Sequence, residues 1–307
     1  MGIFFKDYDS AGPGISKNAP KKKGIALFFD IFFRKLWTLF GVNLLYFIFF
    51  LPLVLGFLAL SFMKNYDLLL WVLGACIVVF AIFFGPATAG LTKIMRCFVL
   101  EKHTFIVRDF FKAFKENFKP ALAVGIIDVL VLLSVFAAYH VYPGLAIQAG
   151  TKLLYVPMVI TFSLGLVVLM MNYYIFLMMI ATDLSLKQLV KNSFALAFLG
   201  MKKNILCVVI QLVTVVLMAL LFLYAPPLCM LIMPFLPSAQ IWFIVCFNAY
   251  PAIQTYVINP YYTSIGQVNP ELSGGFDDIE AETLFEDMGG KEKPVEKRKK
   301  GKGRRIS

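Results

Sequence analysis

The sequence contains few of the residues from which catalytic and metal centres are usually built. It has only two histidines, His103 and His140, and its five cysteines include no C-x-x-C pair. Metal and disulfide sites need several such residues together, so we expect no metal, no cofactor and no disulfide framework. Phosphate-binding glycine loops, nucleophile elbows and H-E-x-x-H motifs are also missing. We therefore expect that the protein is not an enzyme.

Charge is scarce as well. Only 15% of residues are charged, 60% are hydrophobic and the mean hydropathy is +0.80. This composition is far more apolar than that of soluble domains, and it predicts an all-α membrane protein. Each span must be about long enough to cross the ~30 Å hydrocarbon core, which gives a bundle of about six transmembrane helices. We expect them at 36–63, 68–95, 121–139, 153–181, 205–224 and 240–258.

The basic residues are distributed unevenly between the two ends of these spans. Of the 29 lysines and arginines, all except Lys64 and Lys152 fall in the first, third, fifth and seventh connections. By the positive-inside rule these connections and both termini face the cytoplasm. The same bias accounts for the net charge of +11, so we expect the lipid bilayer and not nucleic acid as a partner.

The charge and turn residues also divide the chain into regions. Pro and Gly are frequent in the first region, and blocks of like charge fill the last, where low apolar content favours disorder. Whether segment 226–239 is a loop or a re-entrant piece is left open by its four prolines. We expect a cytoplasmic arm (1–23), an interfacial helix (24–35), a transmembrane domain (36–262) and a disordered charged cytoplasmic tail (263–307).

Two of the cytoplasmic connections have the period of amphipathic helices, near 105–118 and 185–199. The first carries phenylalanines at four-residue spacing, opposite a face of charged residues. The second has a similar apolar stripe, and its Ser185 and Gln188 form the pattern of a capping box. We expect the apolar face of the first helix to lie against the membrane, the bundle or a partner. The candidate partner-binding residues are Phe110, Phe114, Phe118 and, in the tail, Phe285.

The two units that contain these helices have the same order of elements. Each has one span, an amphipathic helix and a second span, and a shift of 83 residues aligns Phe111 with Phe194 and Asp128 with Gln211. One interpretation is a parallel internal repeat, as some transporters have. The other is a chance overlap, because short periodic matches are weak signals.

Several phrases of the sequence resemble a known family. They are Asn43–Tyr46 in the first span, Gly85–Lys93 at the end of the second, Asp109–Lys119 in the first amphipathic helix and Lys191–Leu196 in the second. In this order and spacing they resemble the YesL-like family of bacterial membrane proteins, over roughly residues 25 to 225. The resemblance implies a bacterial plasma membrane location and an accessory role beside carbohydrate importers and sensor kinases. It implies no catalytic residues.

Polar residues within the spans are candidates for an intramembrane site. Asp128 is the only acidic residue inside a predicted span, and a charge there costs at least ~2.5 kcal/mol unless it finds a partner or water. The functional interpretation is a proton or cation site with Gln211, Asn248 and Gln254. The alternative is a hydrogen bond between helices, with Asp128 protonated.

Small residues near the end of the second span suggest close packing. Gly85 with Ala89, and Pro86 with Gly90, form a smooth face that allows another helix to approach. Pro86 also removes one helical hydrogen bond, so the same segment could serve as a hinge.

Two functions compete on these observations. The first is a non-enzymatic accessory or scaffold protein that binds another membrane protein, such as a subunit of an ABC transporter. The second is a small transporter that uses a polar site around Asp128. An enzyme acting on lipids would need charged groups at the inner interface, for which Asp30, Arg34 and Arg96 are available. The scarcity of polar residues within the spans favours the scaffold.

Overall fold

The structure is a computed structural model that describes residues 22–271, apart from the side chain of Ser61. Most of the predicted arm, the charged blocks of the tail and Phe285 lie outside the described residues. Within them the chain is helical and has no strand. The helices are α1 (Gly24–Arg34), α2 (Leu36–Phe47), α3 (Leu51–Phe62), α4 (Tyr66–Val99), α5 (Ile106–Glu116), α6 (Phe118–Gln148), α7 (Tyr155–Ala181), α8 (Leu186–Leu199), α9 (Met201–Tyr224), α10 (Pro226–Ile232), α11 (Ser238–Ile253) and α12 (Asn259–Ser264).

Six helical stretches of the described residues are long and apolar enough to cross a membrane, which confirms the predicted all-α membrane bundle. They are Leu36–Leu60, Tyr66–Val99, Phe118–Gln148, Lys152–Ala181, Met201–Tyr224 and Ser238–Ser264. We call the end of the bundle that carries α5 and α8 the basic end. Its lysines and arginines include Lys93, Arg96, Lys102, Lys112, Lys119, Lys187, Lys191, Lys202 and Lys203.

Helix α1 packs one of its faces on the bundle. Ile31 is fully buried, and the ring of Phe28 stacks on Phe243 at 5.5 Å between centroids and meets the edge of Phe247 at 5.3 Å. The opposite face, with Phe29 and other apolar residues, remains exposed. Helix α1 is therefore attached to the last span by one face, and its interfacial position stays a prediction.

Spans two and three touch through their backbones. Helix α4 continues through Pro86 as one helix of 34 residues, and its Gly85 lies directly against α6. A Cβ atom on Gly85 would lie 1.9 Å from the Ala121 carbonyl oxygen, and a Cβ atom on Gly125 would lie 2.6 Å from the Gly85 nitrogen. Ala89 and Pro86 are buried beside this contact. These glycines therefore permit the close approach, as small residues do in membrane bundles, whereas a hinge at Pro86 stays a prediction.

The amphipathic helix α5 lies against α4 at the basic end. Phe110 is fully buried, and its ring carbons would lie 3.1 Å from a Cβ atom on Gly90. Phe49 of the first span stacks on Phe110 and on the half-buried Phe114 at 6.0 and 5.5 Å between ring centroids. The chain itself thus covers Phe110, which differs from its expected role in partner binding, because Gly90 leaves room for the ring. Phe118 is half-buried beside Phe114.

Helix α8 has two apolar faces. Its predicted capping box is present, with the Ser185 amide donating to Gln188 Oε1 at 2.9 Å. One face, which includes Leu189, is buried against the bundle. The other is an outward row at four-residue spacing whose side chains are 36% to 52% exposed. We call it the α8 row, and it consists of Leu186, Val190, Phe194 and Phe198.

The two predicted repeat units share their order of helices but not their packing. Helix α4 lies along α6, whereas α7 has few contacts with α9, which packs mainly on α10 and α11. The 83-residue shift places Val168 and Val208 where the first unit has Gly85 and Gly125. Branched side chains at both positions prevent a backbone contact like the one that joins α4 and α6. Helices α7 and α9 of the second unit therefore share few contacts.

The segment 226–239 enters the bundle. Helix α10 turns back along α9, and the irregular stretch 233–237 then lies beside Asn43 of the first span. Asn43 Nδ2 donates to the Pro234 carbonyl at 2.9 Å, and its Oδ1 accepts from the Ala239 amide at 2.7 Å. Asn43 lies seven residues inside its span, about 10 Å from its start. A break in the helix therefore precedes the last span. We call α10, the stretch 233–237 and the span Ser238–Ser264 together the broken last crossing, and Asn43 pairs part of its freed backbone groups.

The glycine contact between α4 and α6 can be tested by adding one methyl group. Gly85→Ala forces a Cβ atom into the α6 backbone, and overpacking of this kind costs about 1–3 kcal/mol. Gly74→Ala is the matched control, because it lies on the same helix and a Cβ atom there meets nothing within 4 Å. We expect thermal unfolding in detergent to show a lower Tm for Gly85→Ala only. Equal Tm values for the two variants would contradict the packing.

Candidate functional site: a polar layer and a buried ion pair

The four polar residues predicted as one intramembrane site lie in separate places. Asp128 on α6 accepts a hydrogen bond from Asn172 Nδ2 on α7 at 2.6 Å. Gln211 on α9 instead accepts from the hydroxyl of Tyr173 on α7 at 2.7 Å. Each residue therefore joins two spans, which is the arrangement that the structural alternative for Asp128 required.

The remaining two residues are on the last span. Asn248 Nδ2 donates to the Ile244 carbonyl of its own helix at 2.9 Å. Gln254 lies further towards the basic end, where its Nε2 donates to Glu271 Oε2 at 3.2 Å. Neither contacts Asp128 or Gln211 through a described hydrogen bond, so the structure does not assemble these residues into a common site.

Further hydrogen bonds join the other spans. The Thr88 hydroxyl on α4 donates to the Phe84 carbonyl at 2.8 Å, so Tyr46 on α2 is the donor in the 2.9 Å bond between the two hydroxyls. Trp242 Nε1 on α11 donates to Thr92 Oγ1 on α4 at 2.8 Å. Spans one, two and six are thus joined on one side of the bundle, and spans three, four and five on the other.

These bonds fall at similar depth. In the first five spans the participating residues lie seven to eleven residues from the basic end of their span. At 1.5 Å per residue this is about 10–17 Å. We call the set the polar layer, and it consists of Asn43, Tyr46, Thr88, Thr92, Asp128, Asn172, Tyr173, Gln211 and Trp242.

Two buried oxygen atoms among the described residues have no hydrogen-bond partner. They are Asn172 Oδ1, next to Asp128, and Gln240 Oε1, just after the break between α10 and α11. A buried polar atom without a hydrogen bond is costly in an apolar surrounding, so these two oxygen atoms destabilise the interior.

Two cavities in the described part of the protein lie away from the polar layer. One, of about 270 Å³, is at the basic end between α4, α5 and the end of α7. The other, of about 250 Å³, lies between Ser134 and Tyr142 of α6 and Thr161 of α7. Among the described residues no group of three or more histidines, cysteines or acidic residues could hold a metal ion.

A buried ion pair joins the basic end to the C-terminal segment. Arg96 of α4 pairs with Glu271, and their side chains are only 14% and 12% exposed. Tyr250 of α11 lies between them, accepting from Arg96 Nε at 2.9 Å and donating to Glu271 Oε2 at 2.6 Å. With the bond from Gln254 already described, the Glu271 carboxylate has three partners. The chain that follows the last span is therefore fastened to the second span.

The sequence-based search did not find this ion pair. Arg96 follows a run of buried small and apolar residues, and an arginine at such a position needs a partner, so its sequence context was a usable signal. Glu271 carried no such signal, because it begins an acidic stretch that was assigned to the tail. Tyr250 likewise resembles any aromatic residue of a span.

The ion pair can be tested with a double-mutant cycle. Glu271→Gln and Arg96→Met each leave a buried group without its partner, which costs roughly 3 kcal/mol. The double variant should lose less than the sum of the two, because contacting residues are coupled. The exposed pair Arg34–Glu101 is the control, at 51% and 45% exposure, and Arg34→Gln should cost less than about 1 kcal/mol. Strictly additive losses in denaturant unfolding would contradict the pairing.

Comparison with known proteins gives one family match. The profile of a family described as "Protein of unknown function, DUF624" matches residues 66–139, which cover α4, α5 and most of α6. The matched part is less than half of the chain, and it includes the glycine contact, Asp128 and all the residues that line the cavity at the basic end except Ile180. Searches of curated proteins and of solved structures gave no match.

Proposed function

We propose that this protein is a non-enzymatic scaffold or accessory protein that binds another membrane protein through its basic end. The α8 row carries this proposal. Four apolar side chains there remain 36% to 52% exposed on a helix that is already packed against the bundle by its other face. An apolar helix face of this kind, with anchors at four-residue spacing, is a common surface for helix-in-groove recognition.

The interior of the bundle supports the same function. The polar layer is used for bonds between spans, and neither described cavity includes any of its residues. A transporter needs a polar cavity near the midplane that opens to alternate sides. A scaffold can have an interior without water. The polar side chains that bond to one another between the spans agree better with such an interior than with a transport cavity.

The orientation and partner are part of the proposal. The positive-inside rule places the basic end and both termini in the cytoplasm, with Lys64 and Lys152 outside. The resemblance of the sequence to the YesL-like family favours a bacterial plasma membrane and a carbohydrate ABC importer, or its sensor kinase, as the partner. The family match at residues 66–139 does not contradict this resemblance, but the description of that family names no function, location or partner.

A small transporter is the second candidate, and the broken last crossing favours it. Interrupted helices with free carbonyl groups form the ion and substrate sites of several transporters. The unpaired Gln240 Oε1 lies next to such a break, and the unpaired Asn172 Oδ1 lies next to Asp128. In this protein Asn43 already forms hydrogen bonds with two backbone groups of the broken segment, so fewer backbone groups are free to bind a substrate.

Phe194→Asp separates the two candidates. It places a charge in the α8 row without disturbing the buried face, so we expect the Tm to be kept and the recovery of the co-purifying membrane protein to fall several-fold. Val107→Asp is the matched control, because Val107 is exposed on α5 and outside the row. The measurement is cross-linking in native membranes followed by mass spectrometry.

Asp128→Asn completes this comparison. It keeps the polar contact with Asn172 and removes the ionisable carboxyl group, so a scaffold should keep its partner and a transporter should lose substrate uptake. Full partner recovery by Phe194→Asp, together with lost uptake by Asp128→Asn, would reject the scaffold in favour of the transporter.

The orientation has its own test. A cysteine introduced at Lys152 should react with a membrane-impermeant reagent added to intact cells, whereas one at Lys112 should react only after permeabilisation. The native cysteines are replaced beforehand so that they give no background. Labelling of the Lys112 position from outside would place the basic end on the other side of the membrane.

A further inference from the structure

The cavity at the basic end is lined by basic side chains from three parts of the chain. Lys93 comes from α4, Lys102 and His103 from the connection that follows it, and Lys112 from α5. The cavity measures about 270 Å³ and lies where the second and fourth spans end. It is therefore positioned at the boundary between the membrane and water.

The connection that supplies Lys102 and His103 has a fixed geometry. Glu101 adopts a left-handed conformation, with φ of 53°, and its side chain pairs with Arg34 of α1. The Lys102 amide donates to the Cys97 carbonyl at 2.9 Å and closes the turn. The two side chains are thus placed at the cavity by the backbone.

The three lysines take no part in the ion pairs that Asp30, Glu101 and Glu271 form within the described residues. Lys93 is half-buried between buried neighbours, where an unpaired charge is costly. The cavity therefore contains unbalanced positive charge.

Two acidic residues, Asp109 and Glu116, also line the cavity and offset part of this charge. Asp109 Oδ2 accepts from the Thr104 hydroxyl at 2.8 Å and from the Phe105 amide at 2.9 Å, at the start of α5. Burial acts to raise the pKa of Asp109, but these hydrogen bonds and nearby cations hold it below its usual value. Glu116 also has an interaction of its own. These carboxylates reduce the positive charge but leave three lysines against two acids.

We propose that this cavity binds a phosphate group, carried either by an anionic phospholipid or by a soluble phosphorylated compound. Lysine is a compact point charge that suits phosphate, and a phosphate group brings the negative charge that the lysines lack. Basic pockets between membrane helices on the cytoplasmic side are known sites for phospholipid head groups. The proposal is independent of the scaffold function, since it rests on a different surface.

The experiment uses the full chain in nanodiscs. One arm compares phosphatidylglycerol with phosphatidylcholine, and the other adds glycerol 3-phosphate to phosphatidylcholine nanodiscs. We expect the Tm to rise in at least one arm. Lys93→Gln/Lys112→Gln should weaken the responding ligand by roughly 30-fold, at about 1 kcal/mol for each cation. Lys202→Gln/Lys203→Gln, which removes two exposed lysines outside the cavity, is the matched control and should keep the response.

The arms also identify the source of the phosphate. A response to phosphatidylglycerol alone assigns the cavity to lipid, and a response to glycerol 3-phosphate alone assigns it to a soluble compound. No response in either arm, or an equal loss in both double variants, would overturn the proposal. A response only to an acidic peptide would also overturn it, since the site would then recognise protein carboxylates.

Discussion

Hydrocarbon offers no hydrogen bonds, and this constraint governs the rest of the structure. Each polar side chain placed in a span must find a partner within the protein or accept a cost of several kcal/mol. The polar layer meets that requirement by joining helices: Tyr46 with Thr88, Asp128 with Asn172, and Tyr173 with Gln211. Bonds of this kind contribute about 1 kcal/mol each in membranes, and they also fix which helices are neighbours.

The same constraint explains the organisation around the layer. Spans two and three need no hydrogen bond between their centres, because Gly85 and Gly125 bring the backbones into contact. The broken last crossing is tolerated because Asn43 pairs two of its free backbone groups. The α8 row and the lysine-lined cavity take no part in the bonds between spans, and both lie at the basic end. At the same end the ion pair between Arg96 and Glu271 fastens the C-terminal segment to the second span.

Much of this architecture could be predicted from the sequence, because it depends on local patterns. Hydropathy located the six spans, the helical period located α5 and α8, and the smooth face containing Gly85 indicated close packing. The partners of polar residues could not be predicted in this way. Asp128 and Gln211 align in the proposed repeat, yet they bond to Asn172 and Tyr173, which are neighbours on α7 and are distant from both residues in the sequence. Likewise the pairing of Arg96 with Glu271 crosses most of the chain and has no local signature.

The side chains of the polar layer form their hydrogen bonds within the protein and leave no path for water between the spans, and cysteine accessibility can test this arrangement. Cysteines are placed singly at Asp128, Asn172 and Gln211 in a background without native cysteines. A water-soluble thiol reagent is then added from each side of the membrane. We expect no labelling from either side, with rapid labelling of an exposed control at Lys112. Labelling of the layer from one or both sides would reveal a water-filled path and show that the polar layer is open.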